Sequence, residues 1–402
     1  MKCRMLALLA VTLMGMQAWA VTETTIHTFA GGAYSEYPLS GLVFDSSGNA
    51  YGTASGGGAG YGTIYELTPS LSGWIANILY EFDNVSGAYP AGPLVFDGAG
   101  NLYGTAPYGG NMLGICQGWG CGTVFELKRV SDGWQFVVLY TFSGDADGAQ
   151  PNTSLVFDKS GDLYGTTFSG GNSGYGTAFE LSPTAGGWTE STVYTFAGNN
   201  DGANPASGLT PDAAGSFYGT TQFGGANNCG ASNCGTVYML RTTSSGWKET
   251  ILHSFNGSDG SSPLAGPLLL RNGTLYGTTH AGGSSNQGTA FSLTQRNDSF
   301  TETVLCSFDG GNGAAPYSGM VADSAGNLYG TTVLGGSGYE DGVIFVLRNH
   351  KGVWQESVVH IFTGVDGGQP LGPPTLHAGG LFGTTSEGGE WEAGVVWEVT
   401  AN

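Results

Sequence analysis

The sequence predicts an all-β fold, a seven-bladed β-propeller with four antiparallel strands in each blade, from three observations. A Tyr-Gly-Thr motif recurs at a nearly constant interval, each copy holds four strand-like segments, and the start of the mature chain matches the strand that the last copy lacks. Glycine contributes 73 of the 402 residues. Such a share without a collagen triplet indicates many tight turns.

The motif copies give the number of blades. They begin at Tyr51, Tyr103, Tyr164, Tyr218, Tyr276, Tyr329 and, with Phe in place of Tyr, Phe382. The interval ranges from 52 residues (Tyr51 to Tyr103) to 61 residues (Tyr103 to Tyr164). Self-similarity at a period of this length is typical of solenoids and propellers.

Each copy contains four segments that alternate in polarity or carry β-branched and aromatic residues. In the third copy they are strand A at 154–158, strand B at 162–167, strand C at 176–181 and strand D at 188–196. An Asp-Lys-Ser-Gly turn joins A to B, where the carboxylate can cap amides and the glycine can take positive φ. Four short antiparallel strands per repeat predict a propeller blade.

The two ends of the chain predict how the ring closes. The last copy stops after its C strand at 394–399 and has no D strand. Residues 21–29 reproduce the D pattern, because Phe29 follows Val21 by eight residues, as Phe196 follows Trp188. An N-terminal D strand that completes the last blade would leave no open blade in the ring.

The first twenty residues have the pattern of a secretory signal peptide. Two basic residues precede an apolar run from Met5 to Met16, and the sequence AWA at 18–20 offers a small-x-small cleavage site. We therefore expect cleavage after Ala20 and one mature domain, 21–402, that is secreted or periplasmic. No later apolar run reaches the roughly 20 residues of a membrane helix, so we expect no membrane insertion. We also expect a monomer.

The charge balance argues against nucleic acid as a partner. The chain has 11 basic and 31 acidic residues, and loss of Lys2 and Arg4 with the signal peptide leaves 9 basic against 31 acidic residues. A surface this acidic repels phosphate backbones and anionic membranes.

The repeat pattern GNLYGTT..GG, followed by GTVFEL, GW, LY.F and DG..P, resembles the GloVer-type tandem repeat of secreted bacterial proteins. The resemblance covers 21–402 and implies an exported or surface repeat protein, often with a carboxy-terminal anchor. This chain ends at Asn402, directly after the last strand. We therefore expect a freely secreted or periplasmic form.

The D-to-A and B-to-C connections of a propeller emerge on one face. The D-to-A segments place Asp147, Asp201, Asp259, Asn312 and Asp366 at equivalent positions. One interpretation is a ring of carboxylates that binds cations or sugar hydroxyls. The other is that each Asp-Gly fills a tight turn, with the carboxylate bonded to local amides.

The same face carries the two residues that vary after each motif. These pairs are Ser55-Gly56, Pro107-Tyr108, Phe168-Ser169, Gln222-Phe223, His280-Ala281, Val333-Leu334 and Ser386-Glu387. Tyr108, Phe168 and Phe223 come from three consecutive blades, and His280 from the next. Aromatic rings beside acidic and amide groups suit the apolar faces and hydroxyls of sugars, whereas the alternative is that the rings pack between blades.

Two long B-to-C loops contain cysteine pairs at the same spacing, Cys116 with Cys121 and Cys229 with Cys234. In an exported chain this predicts two local disulfides. Neither loop shows the closer Cys pairs with His partners that are typical of zinc sites. Trp119, inside the first loop, is a candidate contact residue or a lid over its own blade.

Three functions fit these observations. The leading hypothesis is a noncatalytic exported scaffold that binds a glycan or a cell-surface protein through the face described above, without a cofactor. The second is a polysaccharide hydrolase or lyase that uses His280, Glu387 and one Asp of the ring. The third is a structural envelope protein stabilised by calcium at its Asp-Gly turns, although no EF-hand or RTX-type spacing is present.

Overall fold

A computed structural model describes residues 21–401, apart from 33, 113–114, 228, 230–232, 265, 298 and 337–340. The predicted signal peptide, 1–20, lies outside the described residues. Seven antiparallel sheets form the seven-bladed β-propeller that the sequence predicts. Strands A to D follow one another along the chain in blades 1 to 6, whereas strand D of blade 7 is N-terminal. One short 3-10 helix, Asn199–Asp201, is the sole helix in the described part of the chain.

The strands are short next to the axis and long at the outside. Blade 1 comprises Val43–Phe44, Ala50–Ala54, Thr63–Ser70 and Gly73–Glu81; blade 2, Val95–Phe96, Leu102–Ala106, Thr123–Val130 and Gly133–Thr141; blade 3, Val156–Phe157, Leu163–Thr167, Thr177–Thr184 and Gly187–Thr195. Blade 4 comprises Thr210–Pro211, Phe217–Phe223, Thr236–Thr243 and Gly246–Ser254, with Ala203–Pro205 as a further strand beside strand B. Blade 5 comprises Leu269–Arg271, Thr274–Thr279, Thr289–Arg296 and Ser299–Ser307; blade 6, Val321–Ala322, Leu328–Thr332, Val343–His350 and Val353–Ile361; blade 7, Thr375–His377, Gly380–Thr385, Val395–Ala401 and Val21–Thr28.

The N-terminal strand closes the ring. Val21–Thr28 pairs antiparallel with Val395–Ala401, with Thr28 opposite Val395 and Val21 opposite Ala401. This confirms the predicted closure of the last blade by the start of the mature chain. The core cluster between blades 7 and 1 contains Phe29, the residue after this strand, together with buried side chains of both blades.

The glycine of the motif is constant because an aromatic ring lies against it. In blade 3, Gly165 of strand B is opposite Phe179 of strand C, and a Cβ on Gly165 would lie 2.5 Å from the Cζ of Phe179. The seven pairs are Gly52–Tyr65, Gly104–Phe125, Gly165–Phe179, Gly219–Tyr238, Gly277–Phe291, Gly330–Phe345 and Gly383–Trp397. Each ring fills the space that the missing side chain leaves, which packs strand C onto strand B.

The tyrosine of the motif joins the A-to-B turn to strand C of its blade. In blade 2 the hydroxyl of Tyr103 donates to Asp97 at 3.2 Å and to Glu126 of strand C at 3.0 Å. Asp97 also accepts the amides of Ala99 and Asn101, both at 2.8 Å, which caps the A-to-B turn as predicted. The motif therefore fixes the inner turn against the middle of the sheet.

The first threonine of the motif ties each blade to the next. The hydroxyl of Thr105 in blade 2 donates to the carbonyl of Thr153 at 3.0 Å, and that of Thr166 in blade 3 donates to the carbonyl of Ser207 at 3.2 Å. Both acceptors lie in the segment that leads into strand A of the following blade. These buried contacts repeat around the ring and link the inner strands of neighbouring blades.

Both predicted disulfides are present. Cys116 is bonded to Cys121 and Cys229 to Cys234, with Cα atoms 5.3 Å apart in each pair. Each bond closes a B-to-C loop within one blade. Among the described residues, no helix has the length and apolarity that spanning a membrane requires.

Candidate functional site

A cavity of about 520 Å³ lies on the propeller axis, and all seven blades contribute to its wall. Its lining includes the residue that follows the proline of each D-to-A segment. These seven residues are Leu39, Ala91, Asn152, Ala206, Leu264, Tyr317 and Leu371. Because the same position of every repeat faces the axis, the sequence at this position sets the chemistry of the cavity.

The residue before each of these prolines is in the left-handed region in every blade. The values of φ are 55° for Tyr37, 57° for Tyr89, 60° for Gln150, 57° for Asn204, 51° for Ser262, 54° for Ala315 and 55° for Gln369. This conformation is uncommon for non-glycine residues and disfavoured before proline. Strained backbone of this kind persists only where the surrounding structure fixes it.

Two backbone hydrogen bonds fix it. In blade 3 the amide of Gln150 donates to the carbonyl of Cys121 in the preceding blade at 2.9 Å, and its carbonyl accepts the amide of Phe168 at 3.0 Å. Phe168 is the first member of a variable pair. The residue before proline and the variable pair therefore form one rigid unit that projects side chains from the same face.

The residues before and after the prolines were not predicted as site residues. The signal was present in the sequence, because every D-to-A segment ends in X-Pro-X with both flanking residues variable. The sequence-based prediction of a carboxylate ring used the Asp-Gly part of these segments instead.

Four aromatic side chains, Tyr61, Tyr89, Tyr108 and Trp119, form a continuous series that we call the aromatic arc. The ring centroids are 6.2 Å apart for Tyr61 and Tyr89, 5.9 Å for Tyr89 and Tyr108, and 5.9 Å for Tyr108 and Trp119. Tyr89 and Tyr108 line the axial cavity, whereas Trp119 is 63% exposed. The arc therefore leads from water to the axis.

An outer groove continues the axial cavity across blades 2 and 3. It has a volume of about 610 Å³, and Tyr108 and Gln150 line both spaces. Cys116 and Trp119 also line the groove, and the amide of Trp119 donates to the carbonyl of Cys116 at 3.1 Å. The disulfide loop thus holds Trp119 at the edge of the groove, where its exposed ring is available for contact with a ligand.

The polar side chains of the axial cavity are amides and hydroxyls. Gln150, Asn152 and Gln222 lie in its wall beside the ring of Phe168. The Oδ1 atom of Asn152 is buried and has no hydrogen-bond partner among the described residues. A buried acceptor without a partner is costly, so rotation of the partly exposed Asn152 side chain toward a ligand donor in the cavity would be favourable.

Three predicted residues lie outside the described lining of both spaces. Phe223 ends strand B of blade 4 and pairs with Ala203. Glu387 accepts a hydrogen bond from the side-chain amide of Gln369 at 2.7 Å. The ring of His280 lies 6.0 Å from that of Tyr317, which does line the axial cavity. The structure therefore does not bring His280 and Glu387 into one described site.

The predicted carboxylate ring lies in the loops that follow the outer D strands, away from the axial lining. Asp147 accepts the amide of Ser143 at 2.8 Å and the hydroxyl of Tyr140 at 3.0 Å. Asp366 accepts the amide of Thr363 at 2.8 Å. Asp201 and Asp259 make the same kind of bond, to the amides of Ala197 and Asn256. Each carboxylate shapes its own turn.

The comparisons with known proteins agree with this architecture. The family model described as the Gloeobacter/Verrucomicrobia repeat matches residues 11–233 and 229–402, nearly the whole chain. No curated protein matches the sequence.

Solved structures share the fold at low identity. The extracellular domain of a putative hybrid two-component system from Bacteroides thetaiotaomicron has a TM-score of 0.58 at 10% identity, over 93% of this chain and 39% of that one. A polysaccharide lyase, an ulvan lyase bound to a GlcA-Rha3S unit, has a TM-score of 0.52 at 10% identity, over 94% and 95%. A putative 6-phosphogluconolactonase from Bacteroides uniformis has a TM-score of 0.52 at 17% identity, over 79% and 83%. Identities this low establish the propeller fold alone.

Proposed function

The chain belongs to the Gloeobacter/Verrucomicrobia repeat family, and from this premise we propose that it is an exported, noncatalytic protein that binds a neutral glycan. The binding surface comprises the aromatic arc, the outer groove and the axial cavity. The two disulfides of the protein fit an oxidising compartment outside the cytoplasm.

The aromatic arc is the observation that carries this proposal. Sugar rings have apolar C–H faces that stack on aromatic side chains, while their hydroxyls require hydrogen bonds. Tyr108 and Trp119 offer such faces along the groove, and Gln150 lines both the groove and the cavity. A linear oligosaccharide lying in the groove would stack at its outer units and place its terminal unit against Asn152 and Phe168.

The lining chemistry favours an uncharged ligand. The described residues of the axial cavity include aromatic, aliphatic, amide and hydroxyl side chains, and none of them carries a carboxylate, imidazole, ammonium or guanidinium group. The net charge of −20 disfavours anionic polysaccharides through long-range repulsion. The same described lining offers no carboxylate or imidazole as a general acid or base at the axis, which favours binding over catalysis.

A polysaccharide hydrolase or lyase is the second candidate, and the pair His280 and Tyr317 favours it. Burial lowers the pKa of His280 below its ordinary value, so the imidazole is neutral at pH 7 and can accept a proton. Its Nδ1 atom is buried without a partner among the described residues. Release of new chain ends from neutral polysaccharides, abolished by His280→Ala, would identify this activity, whereas equal release by the variant would exclude His280.

A glycan array tests the proposed function with one matched pair of variants. Trp119 and Trp391 both lie in B-to-C loops and are 63% and 59% exposed, but Trp391 is not among the described residues that line the groove or the cavity. We expect the wild type to bind a neutral oligosaccharide class, and Trp391→Ala to bind normally. Trp119→Ala should lose about 5- to 150-fold in affinity if the ring contributes the roughly 1–3 kcal/mol of aromatic rings that stack on nucleobases.

Three further results complete this test. Tyr108→Ala and Phe168→Ala should weaken binding as Trp119→Ala does, whereas Phe223→Ala should not, because Phe223 is not among the described lining residues. Binding confined to anionic glycans, or equal loss in Trp119→Ala and Trp391→Ala, would contradict the proposal.

A further inference from the structure

The outer D strands of neighbouring blades bring together three side chains that the glycan site does not use. The first is the residue two positions before the Phe that follows strand D, the second is a residue of the loop after that Phe, and the third is a glutamate from strand D of the next blade. The first residue is histidine at three interfaces, and at two of these all three side chains are potential metal ligands. The two groups are His253 with Asp259 and Glu302, and His360 with Asp366 and Glu23.

The geometry of both groups suits one shared ion. The Nε2 atom of His253 lies 3.2 Å from an oxygen of Asp259, and that of His360 lies 3.0 Å from an oxygen of Asp366. In each group one atom from every side chain lies within 4.8 Å of the others. A tetrahedral ion with bonds of about 2.0–2.2 Å holds its ligand atoms about 3.3–3.6 Å apart, so the His–Asp pairs are near this spacing and the glutamate oxygen would move in by up to about 1 Å.

Each group also contains an acceptor that the protein leaves without a partner. The Oε1 atoms of Glu302 and Glu23 are buried and have no hydrogen-bond partner among the described residues. Because each glutamate faces the histidine and aspartate of the preceding blade, a cation between them would satisfy an oxygen that is otherwise desolvated.

The donor set selects the kind of metal. Imidazole nitrogens and carboxylate oxygens are both zinc ligands, and zinc accepts three protein ligands with a water in the fourth position. Calcium prefers six to eight oxygen ligands, which these groups do not offer. We propose that His253, Asp259 and Glu302 form one zinc site and that Glu23, His360 and Asp366 form a second, each clamping two adjacent blades.

Other interfaces show what the same position does without histidine. Tyr140 and Tyr194 replace it beside Asp147 and Asp201, and their hydroxyls donate to those carboxylates. Between blades 5 and 6, Asn312 replaces the aspartate, and its side-chain amide donates a hydrogen bond to Glu356 at 3.3 Å. The Oε1 atoms of Glu249 and Glu356 at these interfaces lack a partner among the described residues, as those of Glu302 and Glu23 do. The histidine groups differ in offering an imidazole nitrogen, a metal ligand, next to the aspartate.

His27 supplies a matched control. It occupies the same strand position in blade 7, and its ring lies 4.8 Å from that of Phe29, as the ring of His253 lies 4.8 Å from that of Phe255. The next blade has Ala76 where the glutamate would stand. We expect no zinc at His27.

The second site has a structural consequence. Glu23 belongs to Val21–Thr28, the strand that closes the ring, whereas His360 and Asp366 belong to blade 6 and the loop after it. Zinc at this site would tie the closing strand to a second blade in addition to its pairing with Val395–Ala401. Zinc should therefore raise the melting temperature of the whole propeller.

Equilibrium dialysis of tag-free, chelator-stripped mature protein against ZnCl₂, followed by elemental analysis, tests the proposal. We expect two equivalents of zinc in the wild type and in His27→Gln, one in His253→Gln and in His360→Gln, and none in the double variant. Zinc should raise the melting temperature of the wild type but not of the double variant, and CaCl₂ should raise neither.

The failure outcomes are distinct. Both sites are overturned if the double variant binds as much zinc as the wild type, or if the wild type binds fewer than one equivalent. If the wild type binds one equivalent, the overturned site is the one whose histidine variant still binds one equivalent. Circular dichroism and melting in chelator check that each variant folds. If a histidine variant does not fold, Glu302→Gln or Glu23→Gln replaces it, with the same expected loss of one equivalent.

Discussion

The hydroxyl of Thr384 in the last blade donates a hydrogen bond to the carbonyl of Ser40, which precedes the first blade, at 2.8 Å. The two residues are 344 positions apart in the chain, and both are buried. This contact repeats the tie between successive blades at the one interface that joins the end of the chain to its beginning. Ring closure therefore rests on the same threonine contact as the other interfaces, in addition to the N-terminal strand.

Thr384→Val should destabilise the closed ring. Valine keeps the shape of threonine but leaves the buried carbonyl of Ser40 without this donor, and we expect a loss of about 1–2 kcal/mol in the free energy of unfolding. Thr301→Val, at an exposed position of strand D, is the matched control and should change it by less than about 0.5 kcal/mol. Denaturant unfolding measures both, and equal stability of the two variants would refute a role for this contact.

Gly165→Ala should damage a blade from within. The new methyl group would lie 2.5 Å from Phe179 and 2.9 Å from Leu155, both buried, so we expect a loss of about 1–3 kcal/mol from overpacking. Gly98→Ala is the control, because nothing lies within 4 Å of its added Cβ, and it should be neutral or slightly stabilising. Thermal melts of the two proteins compare them. A neutral Gly165→Ala would show that the ring of Phe179 moves aside freely.

The stability of the propeller should fall as the pH rises from about 4.5 to about 8. Burial, with a further contribution from the charge of Asp201, raises the pKa of Glu249 to about 8. The folded state therefore holds a proton that the unfolded state releases near pH 4.5, and the stability that this proton gives is complete at low pH and lost as the pH passes through the folded pKa.

Glu249→Gln isolates this effect. In chelator-treated protein we expect the variant to be more stable than the wild type at about pH 8, with no such advantage at about pH 5, and to show a flatter dependence of melting temperature on pH. Asp132→Asn, which changes an exposed turn residue, should keep the wild-type profile. A Glu249→Gln profile parallel to that of the wild type would contradict the assignment.

Asn152→Leu should reduce glycan affinity without loss of fold. Leucine occupies the equivalent position in blades 1, 5 and 7 as Leu39, Leu264 and Leu371, so the ring accepts it. Removal of the Oδ1 acceptor should cost about two- to twelvefold in affinity, since one hydrogen bond to an uncharged group contributes about 0.5–1.5 kcal/mol. Calorimetric titration with the glycan found by array measures the change, and unaltered affinity would place the ligand away from the axis.

The sequence was sufficient to predict the number of blades and the closure because both depend on local pattern. The Tyr-Gly-Thr motif marks each strand B, and the spacing from Val21 to Phe29 marks the missing strand D. Residue Tyr108 was predictable as a candidate because it varies within a constant phrase. Pairing of the two loop cysteine sets followed from their identical spacing.

Other features depend on contacts between blades and could not be read from one repeat. The side chain of Asn152 faces the axis because the strained residue Gln150 turns the chain before Pro151. The approach of Glu302 to His253 depends on how two D strands lie beside each other, although a glutamate two residues after the Trp or Phe of strand D was a visible signal.

A crystal structure with the oligosaccharide identified by array tests the central claim most directly. We expect a sugar ring stacked on Tyr108 or Trp119 and a sugar hydroxyl within about 3.2 Å of the Oδ1 atom of Asn152, which is hydrogen-bond distance. Density for the sugar on the opposite face, or at the outer D strands with the aromatic arc uncovered, would contradict the account.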